Sequence, residues 1–132
     1  KSDAARGGYV LINCDGVPQC IVIATGSEVG ISAEAVKAAN AAGLRVRLVS
    51  MPCTQVFDAQ DGAYRESVLP KAVTARLAVE AAATLGWWKY VGFGGHVLGV
   101  DRFGASGKAA DLFPHFGFTA DNVGRHIREL IR

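Results

Sequence analysis

The sequence has no excess of charge of one sign: 14 lysines and arginines are interspersed with 12 aspartates and glutamates, for a net charge of +2. Without a basic stripe or a polybasic tail, neither nucleic acid nor a membrane surface is expected as a partner. No apolar run approaches the roughly 18 residues that a membrane span requires, and nothing near Lys1 resembles a signal peptide. A soluble, cytoplasmic protein is the expectation. Cysteine is scarce and odd in number. Cys14, Cys20 and Cys53 lie in or beside apolar, strand-like runs without the paired spacing of a zinc site, so buried, reduced thiols are expected. There is no internal repeat, and no initiating methionine: the chain opens on Lys1, as a piece of something longer would.

At 132 residues the chain forms one domain, large enough to bury roughly two thirds of its extended-chain surface. Its organising stretch is Ile21-Val22-Ile23-Ala24-Thr25, a β-branched run without polar alternation, as in a parallel strand covered on both faces. Gly26 then turns the chain, Ser27 is placed to cap a helix, and Glu28 puts negative charge at that helix's positive end. The helix, rich in small apolar residues, should run from Glu28 to about Asn40 with Gly43 as its C-terminal cap, before a second strand, Val46 to Ser50.

Upstream, residues 1–8 read as a linker from a preceding domain and residues 9–132 as the domain itself. Tyr9 to Cys14 reads as an antiparallel edge strand, joined to the central strand as a hairpin through Asp15-Gly16-Val17-Pro18. Downstream, Thr54 or Asp58 could cap a short helix, and Tyr64 to Leu69 is helical up to Pro70. Val73 to Ala78 forms the next strand, which delivers Glu80 to its C-terminal end, where open α/β sheets place ligands. Glu80 reads first as a helix cap or ion-pair partner and second as a ligand contact.

Thr84 to Val91 carries Trp87, Trp88 and Tyr90 on two helical faces, one to pack on the sheet and one for a domain or partner interface. Val97 to Val100 is a last strand. Thr119 then caps a helix in which Val123, Ile127, Leu130 and Ile131 form the clearest apolar stripe of the chain. The fold class is therefore α/β: a three-layer α/β/α sandwich on a mostly parallel sheet of about five strands, one of them antiparallel.

Motifs that carry chemistry fail one by one. Gly107-Lys108 lacks the earlier glycine and the following hydroxyl of a phosphate loop, since Arg102 and Ala109 occupy those positions. Gly92-Phe93-Gly94-Gly95-His96-Val97 has valine where a dinucleotide fingerprint needs its third glycine. Gly104-Ala105-Ser106-Gly107 is one residue short of a nucleophile elbow. His96, His115 and His126 are far apart in sequence, in no metal-binding pattern, and read as surface or cap residues. The turn at Gly26 and Ser27, with Glu80, leaves one candidate pocket for a small anion, although Glu28 competes for the same donors.

Five stretches, in order and in register, resemble the C-terminal domain of transketolase. They are Ala24-Thr25-Gly26-Ser27-Glu28-Val29, Val49-Ser50-Met51-Pro52-Cys53-Thr54-Gln55-Val56-Phe57-Asp58, Tyr64-Arg65-Glu66-Ser67-Val68-Leu69-Pro70, Phe103-Gly104-Ala105-Ser106-Gly107-Lys108-Ala109 and Phe116-Gly117-Phe118-Thr119. The resemblance implies a transferase that moves a two-carbon ketol unit from ketose phosphates to aldose phosphates in the pentose phosphate pathway. It further implies thiamine diphosphate and a divalent metal, Mg or Ca, in a three-domain homodimer. No catalytic, cofactor-binding or metal-binding residue carries over to this segment: Asp15-Gly16 and Asp61-Gly62 lack the preceding glycine of the family's Gly-Asp-Gly metal motif. A structural or assembly role, inactive in isolation, is expected. The alternative is an independent or regulatory module that binds small anions.

Overall fold

Along the central strand, successive side chains enter two different cores, and that alternation fixes the layers. A computed structural model of the chain describes residues 4–26, 28–80, 88–92, 95–99 and 119–131. Among these residues, five strands form one sheet: β1 (Tyr9–Ile12), β2 (Cys20–Ala24), β3 (Val46–Ser50), β4 (Arg76–Glu80) and β5 (His96–Gly99), in the order β1-β3-β2-β4-β5. Among these five, β1 alone is antiparallel, paired with β3; the other pairings are parallel.

Cys20, Val22 and Ala24 of β2 share one core with Leu48, Leu77, Val79 and Leu98, covered by α1 (Glu28–Ala41) and by Val123 and Ile127 of a C-terminal helix, Ala120–Ile131. Ile21 and Ile23 face the opposite core, with Val49, Met51 and Ala78. That side is covered by α2 (Thr54–Asp58), α3 (Gly62–Val68) and the single turn α4 (Trp88–Val91). The C-terminal helix is α5 among the described residues. The three-layer expectation is met, and every residue of β2 is buried, as an apolar run without alternation requires.

Four expectations are corrected in detail. Tyr9 to Ile12 lies at a sheet edge as expected, but its partner is β3 and it forms no hairpin with β2, whose two edges β3 and β4 already occupy. Residues 13–19 instead carry the chain past the start of β3. There, Arg45 Nε donates to the Val17 carbonyl at 2.9 Å, Gln19 N donates to the Arg45 carbonyl at 2.7 Å, and Arg47 Nε donates to Asn13 Oδ1 at 3.2 Å. The fourth strand begins at Arg76 and not at Val73, because Val73 closes a turn by donating to the Pro70 carbonyl. Asp61, and not Thr54 or Asp58, is the side chain that caps a helix in this stretch; it accepts from Tyr64 N at 2.8 Å. Of the three free cysteines only Cys20 is fully buried, which pushes its thiol up to about 12, while Cys14 and Cys53 are partly exposed. Among the described residues, no helix is long and apolar enough to cross a membrane.

Candidate functional site

The chain leaves β2 for α1 on one face, leaves β3 for α2 on the other, and crosses to β4 on the far side of β2. This places a topological switch point between the C-terminal ends of β2 and β4, where open α/β sheets form a ligand crevice. A groove of about 390 Å³ lies there, lined by Thr25, Met51, Pro52, Cys53, Thr54, Gln55 and Glu80. Of the expected site residues, Glu80 lines the groove, and Gly26 directly follows Thr25, which lines it too. Gly26 has φ of 62°, a backbone state that side chains disfavour, so the tight exit from β2 needs glycine. Ser27 lies outside the described residues. Glu28 is only 3% exposed, so its carboxylate sits inside the fold at the positive end of α1. Glu28 and Glu80 flank the turn.

A larger cavity, about 910 Å³, opens on the other helical face between α2, α3, α4 and the start of β4. Asp58, at the end of α2, accepts a hydrogen bond from Lys89 Nζ at 2.7 Å and one from Tyr90 Oη at 2.9 Å. Burial tends to raise the Asp58 carboxyl, but the bonds from Lys89 and Tyr90 outweigh it and hold the group below its usual range. Burial and the same carboxylate push the Tyr90 phenol upward, and the hydrogen bond to Asp58 raises the Lys89 ammonium.

Arg76 is a cation already committed. Its guanidinium donates to the carbonyls of Val73, Tyr90, Leu69 and Pro70 at 2.7–3.2 Å, which ties α3, β4 and α4 together. Burial lowers its affinity for the proton, and Glu66 partly offsets that. This cavity is built as a structural joint.

Of the aromatic interface candidates, Tyr90 is turned into the domain, 6% exposed and edge-on to Phe57 at 6.5 Å between centroids. Trp87 lies outside the described residues; the backbone of Trp88 opens α4, and its side chain lies outside them as well. One grouping that sequence spacing did not suggest is present: His96 Nδ1 and His126 Nδ1 stand 3.0 Å apart, with Glu129 beside them. Burial, then Arg125 and His96, lower the His126 imidazole below its usual range.

The two-sided, mostly parallel sheet, its antiparallel edge and the strand-end groove define the class: a three-layer α/β/α domain. Residues 7–119 match the family described as the transketolase-like TK C-terminal domain, and the chain belongs to that family. It is 55% identical over 130 residues to transketolase 1 of Escherichia coli (strain K12), and 52% identical over the same length to transketolase 2 of Aliivibrio fischeri. Each alignment takes in 98% of this chain and 20% of the relative. Among solved structures, transketolase from Leishmania mexicana superimposes with a TM-score of 0.88 at 40% identity, covering 98% of this chain and 18% of that one. The chain thus spans about a fifth of the length of the relatives it matches.

Proposed function

We propose that the chain serves a thiamine-diphosphate-dependent transketolase as a structural and assembly domain, while the ketol transfer is carried by other domains. The observation that supports this most directly is its likeness, from end to end, to one fifth of enzymes named transketolase. In this reading the complete enzyme acts on sugar phosphates of the pentose phosphate pathway in the cytoplasm as a homodimer, with Trp87 and Trp88 at a domain or subunit interface. Residues 1–8 connect to a preceding domain, and residues 9–132 form this one. Part of that connection already rests on the domain: Arg6 lies over the Tyr64 ring at 4.6 Å, and Cys53 N donates to the Gly7 carbonyl at 3.0 Å.

Thiamine diphosphate needs a metal held on its diphosphate by oxygen ligands. Asp61-Gly62 follows Gln60 and not the glycine of the family's metal motif, and Arg76 is engaged by backbone carbonyls, so this reading assigns neither residue to the cofactor. The test is an assay of the isolated chain with xylulose 5-phosphate and ribose 5-phosphate in the presence of thiamine diphosphate and Mg²⁺. No turnover is expected, and turnover free of contaminating enzyme would overturn the reading.

A further inference from the structure

We infer that His96, His126 and Glu129 form a binding site for a divalent transition metal, of which Zn²⁺ is the representative ion. His96 opens β5, and His126 and Glu129 lie three residues apart on α5, so two of the ligands share one helical face. The three side chains can place one donor atom each within 4.8 Å of one another.

The histidine geometry is close to what a metal asks for. The rings stand at 86° with their Nδ1 atoms 3.0 Å apart. A tetrahedral ion with metal–nitrogen bonds of 2.0–2.1 Å holds two imidazole nitrogens about 3.3 Å apart, so the pair needs to open by only a few tenths of an ångström. Without metal, one Nδ1 must donate its proton to the other. With metal, both Nδ1 lone pairs meet the cation, and the proton between them is displaced to Nε2 of the donor ring or to solvent.

Glu129 supplies the third ligand. One of its oxygens accepts from Arg125 at 2.9 Å, an exposed i,i+4 contact that leaves the second oxygen available. Such pairs contribute little and do not hold the carboxylate against a stronger partner. A water completes four-coordination. Two imidazoles and one carboxylate suit zinc, copper or nickel, and do not suit Mg²⁺ or Ca²⁺, which prefer all-oxygen shells.

The test uses the full chain, stripped of metal with a chelator and titrated with Co²⁺ and then Zn²⁺. Expected are one equivalent of Co²⁺ with the visible bands of a four-coordinate nitrogen–oxygen site, displacement by Zn²⁺, and saturable thermal stabilisation by Zn²⁺. His96→Ala and His126→Ala should each weaken binding by roughly tenfold or more, and Mg²⁺ should give no shift. Glu129→Gln, an exposed change that leaves the core intact, should weaken it measurably and keeps the test valid where a histidine variant fails to fold. Absence of saturable uptake overturns the inference. So does uptake with a thiolate charge-transfer band, which would place the ion on cysteine, or uptake that Glu129→Gln and both histidine variants leave unchanged.

Discussion

Tyr90 joins two helices through one phenol, so its contribution can be isolated by removing one oxygen atom. Tyr90→Phe keeps the contact with Phe57 and loses the bond to Asp58, at an expected cost of about 1 kcal/mol, since Asp58 is partly solvated. The folded phenol holds its proton above its ordinary value of 10.0, so its contribution is full below pH 10 and is lost as pH rises through the raised value. Asp58 behaves oppositely: its contribution is present above 3.8 and is lost as pH falls through the lowered value. Urea unfolding of both proteins across pH should show their stability difference shrinking at each extreme. A constant difference would remove the latch. The same scale holds Gly7, whose φ is 87° and whose added Cβ would meet the Cys53 carbonyl oxygen and Phe57 N at 2.4 Å. Gly7→Ala should therefore cost about 2 kcal/mol or more, because both neighbours are backbone, and thermal unfolding measures it.

At the scale of elements, α5 starts where Thr119 Oγ1 accepts from Asn122 N at 3.1 Å. Thr119→Ala should cost about 1 kcal/mol, and circular dichroism melting provides the check; Thr119→Asn should retain most of the stability. This helix was legible because cap, apolar stripe and periodicity are all local signals. So was α1, whose end at Gly43 takes φ of 98° while Leu44 N bonds back to the Ala39 carbonyl. The pairing of β1 was not legible. A four-residue turn signal at Asp15 to Pro18 suggests a hairpin, whereas the bonds that decide the outcome come from Arg45 and Arg47, about thirty residues away. The same distance hid the histidine pair: nothing in local sequence joins a strand's first residue to the middle of the last helix. Glu80 was legible at a strand end because strand direction follows from the helix–strand alternation alone.

For the whole molecule, the placement of charge decides whether the strand-end groove takes small anions. Glu28 is buried at the N-terminal end of α1, where it competes with an anion for the same donors, and Glu80 lines the groove. Calorimetric titration with phosphate at low ionic strength should give no saturable heat, and none should appear in Glu28→Gln at the same concentration. Heat in either protein would favour the anion-binding alternative.

The sheet order carries a further consequence for a ribosome-bound chain. At about 5–20 residues per second, the roughly thirty residues between Ile12 and Val46 take seconds to emerge, whereas a hairpin closes in about 1–10 μs. During that interval β2 is the one available strand, and its edges are still vacant. On these timescales β1 and β2 can meet before β3 exists, and the final order then requires β3 to enter between them. Arg45 and Arg47 enter with β3, and their bonds to the crossing loop form only in the final pairing.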